Sequence, residues 1–143
     1  MSIGGVDIVM GFDFGTEHIG VAIGQTLTYT AQPLTVLRSE SGVPNWKHIK
    51  NIYNTWKPTI AVVGLPLKID GSEQPITILA KIFAMQLKEQ LPVTVKMHDE
   101  RFSTSEARLN YSEYCCNYLC VKPNININAL SAGVILESWL NQS

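Results

Sequence analysis

Asp13 stands between glycines in GFDFGT, residues 11–16, at the centre of an apolar run. A carboxylate carried into apolar surroundings is strongly unfavourable unless it is hydrogen-bonded, paired or bound to a cation. Asp13 is therefore either a cation ligand or a turn residue whose oxygen caps the bend at Gly15-Thr16. A second acidic group, Asp99-Glu100, ends the alternating run PVTVKMHDER and is followed at once by Arg101. Glu100 reads either as a second ligand or as half of a surface ion pair, and Asp99 either joins it or holds Arg101. Carboxylates brought together from two strand ends suit a hard divalent cation such as Mg2+ or Mn2+, which prefers oxygen donors.

The elements that must position these groups follow from periodicity. Short apolar runs at Asp7–Asp13, His18–Gly24 and Gln32–Arg38, separated by turn residues, predict an antiparallel meander of three strands. Asp13 falls at the end of the first, and Gly15 is expected to supply unusual backbone angles at the turn. Between Val43 and Lys57 the residues Trp46, Ile49, Ile52, Tyr53 and Trp56 recur at helical intervals, and Pro58 closes the segment. Ile60–Pro66, IAVVGLP, is a continuous apolar run, as expected of a strand covered on both faces. Strand, helix and strand in succession imply a crossover and parallel pairing.

A second helix is expected from a Ser72 cap with Pro75 in its first turn, buried through Ile76, Leu79, Ala80, Phe83 and Leu87. Pro92–Arg101 predicts a strand with Val93, Val95 and Met97 inward, which delivers Asp99-Glu100 to its terminus. Ser103 to Glu106 matches a capping box and predicts a third helix. The last helix is expected from about Ile127 to Leu140, with Ala129, Ala132 and Gly133 narrow enough to let it approach a sheet.

The chain has 143 residues, 45% hydrophobic, with a formal net charge of −1. That is one compact domain, residues 1–143, and its charge excludes a strongly basic DNA-coating protein while leaving room for a local positive groove. No apolar stretch approaches the roughly 20 residues that cross a bilayer, and no basic-then-apolar leader is present, which predicts a soluble cytoplasmic protein. Cys115, Cys116 and Cys120 cluster without a nearby histidine, so packed thiols are expected rather than zinc or disulfides.

Four segments in order carry a family resemblance: GFDFGTEHIGVAIG at 11–24, VVGLPLKIDGSE at 62–73, DERFSTSEA at 99–107 and NALSAGVIL at 128–136. Together they resemble the YqgF/RuvX family, described as Holliday junction resolvases and linked to maturation of the 5′ end of 16S ribosomal RNA. The resemblance implies an α/β, ribonuclease H-like fold with a mixed five-stranded sheet, three antiparallel strands then two parallel ones, and helices on both faces. It also implies a Mg2+- or Mn2+-dependent nuclease acting on structured RNA or branched DNA, with ribosomal precursor particles as possible partners, as a monomer or homodimer. In that reading Asp13 and Glu100 are the catalytic metal ligands, with Asp99 as a further candidate.

Two features depart from the family pattern. A third acidic residue is expected at the start of the last helix, in a segment resembling IDxLAA, where this chain has Asn128. Its amide oxygen still suits a hard cation, but the site loses one negative charge and a proton acceptor. Asn is also favoured at helix starts for purely local reasons. Glu137, more than two turns further along, is not expected to compensate. The second departure is the segment NYSEYCCNYLCV, 110–121, where a basic loop is expected. Tyr111, Tyr114 and Tyr118 there suit either stacking on unpaired bases or helix packing.

Phosphate contacts are therefore sought in Thr16, His18, Lys68, Arg101 and Ser103, the last opening a helix whose free amides attract anions. His18 reads equally as a plain strand-end residue. The DFGT stretch also resembles the phosphate loop of the actin, sugar-kinase and heat-shock ATPase superfamily, but one domain cannot form that two-domain clamp. The rival from another class is a catalytically silent nucleic-acid-binding or ribosome-assembly factor, which Asn128 favours and the retained Asp13 and Glu100 disfavour.

Overall fold

The computed structural model describes residues 7–100 and 127–142. Its elements run β1 (Ile8–Asp13), β2 (His18–Gln25), β3 (Thr30–Glu40), β4 (Val43–Pro44), α1 (Trp46–Trp56), β5 (Ile60–Leu65), α2 (Pro75–Gln90), β6 (Thr94–Asp99) and α3 (Ile127–Asn141). The sheet order is β4-β3-β2-β1-β5-β6. β1, β2 and β3 pair antiparallel, as the meander predicts, and β5 and β6 join β1 in parallel.

The sheet has six strands rather than five. After β3 the chain reverses through Ser41 and Gly42, both at positive φ, and Val43–Pro44 pairs back onto Ser39 and Glu40. This also moves the start of α1 from the expected Val43 to Trp46. A residue before proline is held out of the helical region, so Val43 is spent in a strand and Asn45 caps the helix. Its Oδ1 accepts from the Lys47 amide at 3.0 Å.

α2 is likewise capped by Gln74 and not by Ser72. Ser72 is committed upstream, where both its amide and its hydroxyl donate to Asp70 Oδ1, at 2.9 and 2.6 Å. Thr77 instead completes the cap, accepting from the Gln74 amide at 2.9 Å and donating to the Pro66 carbonyl. Its β5–α2 loop is drawn tight by pairing of Leu67 with Glu73.

Strand alternation divides the core into two. On the face covered by α1 and α2, Met10, Phe12, Phe14, Ile19, Val21, Val63, Phe83 and Leu87 are buried together. Phe83 is the centre, with ring centroids 5.3 Å from Phe12, 5.2 Å from Phe14 and 5.8 Å from Trp46. The opposite face packs Val9, Ala22, Ala31 and Val62 against Ala132, Ile135, Leu136 and Leu140 of α3. The helix comes close because the sheet offers it glycine. A Cβ on Gly11 would lie 2.7 Å from Leu136 Cβ and 3.2 Å from the Ala132 carbonyl oxygen. Among the described residues no helix is long and apolar enough to cross a membrane.

Candidate active site

β1, β5 and β6 run parallel, so the ends carrying Asp13, Leu65 and Asp99 lie at one edge of the sheet. In sheets with parallel strands, ligands are bound outside these carboxyl ends. Asp13 pairs with Gly20 of β2 on one side. On the other side Phe12 is level with Val63, which sets Asp13 level with Gly64, and Gly64 pairs with His98. One row across the sheet thus reads Gly20, Asp13, Gly64, His98.

Alternation puts this row on the α3 face, because Phe12 and Phe14 point into the opposite core. Both glycines flanking Asp13 are occupied from above. A Cβ on Gly20 would lie 1.9 Å from the carbonyl oxygen of Asn128, and one on Gly64 would lie 3.1 and 3.2 Å from Glu100 Cγ and Cδ. A glycine inside a strand often marks such a close approach. Asp13, Glu100 and Asn128, far apart in sequence, therefore converge from β1, the end of β6 and the first turn of α3. All three are half-buried, and each makes polar or electrostatic interactions within the protein.

Asp99 is placed differently. In β6, Met97 packs into the α1/α2 core while His98 reaches α3, so alternation turns Asp99 away from Asp13. Its charge bears on His98 instead. Burial holds the His98 imidazole below its ordinary pKa, and Asp99 partly offsets that. His98 is only 3% exposed, and its Nε2 lies 3.0 Å from Ser138 Oγ in a hydrogen bond to α3.

Thr16, His18 and Lys68 are exposed on the loops and strand end at the same edge. The Thr16 carbonyl accepts from the Gly42 amide at 3.1 Å, and the Lys68 amide donates to the Ser72 carbonyl at 3.0 Å, so both backbones are tethered. His18 pairs with Arg38, an exposed cation that sequence reasoning missed because only the β2–β3 register puts it at the site edge. Gly20 was also missed as a site element, although it interrupts a strand pattern, whereas the Gly64-Leu65-Pro66 turn is expected from the sequence to shape the site rim or to serve folding alone. Gly15 is required for a different reason from the one expected: its φ is not positive, but a Cβ there would meet the His18 carbonyl oxygen at 2.5 Å.

Arg101, Ser103, the expected third helix, the three tyrosines and the three cysteines lie outside the described residues. Among the described residues no group of three or more His, Cys, Asp or Glu side chains is arranged to hold a metal. Beside Asp13 and Glu100, the described residue that α3 brings to this row is Asn128, whose side chain carries an amide in place of a carboxylate. Glu137 stands beside Ala31, at the far end of the helix from Asn128, as its spacing implied.

The family model described as RuvX, Holliday junction resolvase, matches residues 7–142. The chain belongs to the RuvX family. A relative from Blochmanniella pennsylvanica (strain BPEN), named "Putative pre-16S rRNA nuclease", is 79% identical over 138 residues, covering 96% of both chains. A relative of the same name from Sodalis glossinidius (strain morsitans) is 48% identical, covering 94% of both. Among solved structures, T. thermophilus RuvC in complex with a Holliday junction substrate superposes with a TM-score of 0.56 at 14% identity, covering 92% of this chain and 91% of that one. At that identity the likeness establishes the shared ribonuclease H-like fold, which this RuvX chain carries with a sixth strand.

Proposed function

We propose that this protein is a divalent-metal-dependent nuclease that hydrolyses phosphodiester bonds in structured nucleic acid, with precursor 16S rRNA as its substrate. The observation that carries the reading is the glycine-flanked Asp13, with Asn128 pressed over Gly20 and Glu100 over Gly64. Two carboxylates and an amide oxygen are all hard donors, and they fit Mg2+ or Mn2+. When bound, such a cation supplies positive charge against the phosphoryl oxygens and activates water at neutral pH.

The chain's own groups divide the remaining work. Asp13 and Glu100 hold the cation, and Asn128 completes the set without a charge or a proton to exchange. The first turn of α3 brings the positive end of its dipole to the site, which favours a phosphate. His18, Arg38, Lys68 and the Thr16 hydroxyl line the edge where the backbone of a nucleic acid would pass, with Arg101 and Ser103 following β6 in sequence. Asp99 is assigned to the support of His98 rather than to the cation.

The RNA assignment is supported by the names of the close relatives. It fits a cytoplasmic protein meeting ribosomal precursor particles and working as a monomer, since resolution of a four-way junction demands two symmetric sites and hence a homodimer.

Asn128 also favours a second reading, a nucleic-acid-binding or ribosome-assembly factor whose catalyst is weakened. One experiment separates the two: Mn2+-dependent cleavage of a labelled precursor 16S 5′-end RNA and of a four-way DNA junction by native protein, Asp13→Asn and Asn128→Asp. The nuclease reading expects native cleavage of the RNA, reduced by on the order of 10³-fold in Asp13→Asn. An inert native protein with an active Asn128→Asp variant would instead establish the weakened catalyst, and preferential junction cleavage would replace the RNA assignment.

A further inference from the structure

His98 and Ser138 join the two elements that carry Glu100 and Asn128. His98 lies two residues before Glu100, on β6, and occupies the same row as Asp13 and Gly64. Ser138 lies ten residues after Asn128, on α3, roughly 15 Å along the helix axis. Their side chains meet at 3.0 Å across the helix–sheet boundary. The remaining contact of α3 with the sheet is dominated by Ala129, Ala132, Ile135, Leu136 and Leu140, all buried. Such apolar contacts resist separation but have little directional preference. A hydrogen bond has both distance and angle requirements and so limits rotation of the helix about its axis. At a side-chain radius of roughly 6 Å, a rotation of about 20° moves a side-chain tip by about 2 Å, enough to take an amide oxygen out of a coordination shell.

We infer that the His98–Ser138 hydrogen bond is a positioning device for the cation site, fixing the rotation of α3 so that Asn128 and Glu100 meet over Asp13. The inference rests on the cation-site reading of Asp13, Glu100 and Asn128. His98 and Ser138 are positioning residues that act through Asn128 and Glu100, and neither touches the substrate.

Mn2+ affinity by titration calorimetry, thermal melting and cleavage kinetics test this on the full chain, with Asn141→Ala as control. Asn141 Nδ2 donates to the Tyr29 carbonyl at 2.9 Å and so ties the distant end of the same helix. Ser138→Ala is expected to weaken Mn2+ binding by about 10-fold or more and to lower kcat more than it raises KM for RNA. Ser138→Thr, which keeps the hydroxyl, restores both, and Asn141→Ala lowers the melting temperature without altering Mn2+ affinity. His98→Gln combined with Ser138→Ala is expected to lose no more affinity than the more damaging single change, as two halves of one interaction require. A Ser138→Ala protein that binds Mn2+ within about twofold of native overturns the positioning role while leaving the cation site standing. Native protein that binds no Mn2+, or binds it as well after Asp13→Asn, overturns both.

Discussion

The two faces of the sheet are built on opposite principles. The α1/α2 face is filled with large rings and branched side chains, centred on Phe83, and keeps its helices at the distance those side chains impose. On the α3 face Gly11, Gly20 and Gly64 stand beside Val9, Ala22, Ala31 and Val62, and at Gly20 backbone meets backbone. The first arrangement buries more apolar area and should dominate stability. The second buries less but brings the start of a helix onto the row that contains Asp13. A binding centre needs close approach of polar groups, and bulky packing at that point would prevent it.

The division of labour is broken most severely from the aromatic side. Phe83→Ala should destabilise the fold by about 3–5 kcal/mol in denaturant unfolding, because it removes contacts with three rings at once. Cleavage per folded molecule should stay near native. Equal losses of both would show that the faces are not separable.

Gly20→Ala tests the opposite face. Its methyl group would lie 1.9 Å from the Asn128 carbonyl oxygen, so the helix start must move. A displacement of about 1 Å at a catalytic centre lowers turnover by on the order of 10²-fold, while overpacking costs stability by about 1–3 kcal/mol. Cleavage kinetics and unfolding of one protein preparation give both numbers. Gly64→Ala should act in the same direction but less strongly, because the nearest atom it meets, Ile135 Cδ1 at 2.7 Å, is the end of a flexible side chain.

The α3 face also carries two groups whose protonation is coupled to folding, with opposite signs. Burial lowers the His98 pKa below 6.5, and the opposing pull of Asp99 is the smaller effect. The unfolded chain therefore takes up the proton first. The His98 contribution is fully present above pH 6.5 and is lost as pH falls from there through the folded value. Burial raises the Glu137 pKa above 4.5, partly offset by a hydrogen bond with the Ala31 backbone. Here the contribution is fully present below pH 4.5 and is lost as pH rises through the folded value. Glu137→Gln should thus raise the melting temperature modestly at neutral pH and lose that advantage below pH 4.5. A uniform shift across pH would assign its effect to packing.

Much of this is legible in the sequence. Periodicity alone placed the three-strand meander, the crossover elements and the final helix, because alternation and helical spacing are local properties of the chain. The same alternation put Asp13 and Glu100 at strand ends. The errors lay at segment boundaries. Val43 was assigned to a helix that begins at Trp46, and Ser72 to a cap that Gln74 provides, because pairing with β3 and a turn around Asp70 claimed those residues first. His98 passed unremarked because its importance depends on what lies across from it.

Residue order and local chemistry determined which elements form and that Asp13 needs a partner. They also put an amide at position 128, where the family resemblance calls for a carboxylate. The tertiary structure alone decided that Asn128 and Glu100 flank Asp13, that Asp99 faces away, and that His98 is joined to Ser138. Those facts depend on strand register and helix depth, which are settled by contacts between residues remote in sequence. At Gly20 and Gly64 the absence of a side chain is visible in the sequence, but its purpose becomes apparent only when the group that fills the space arrives.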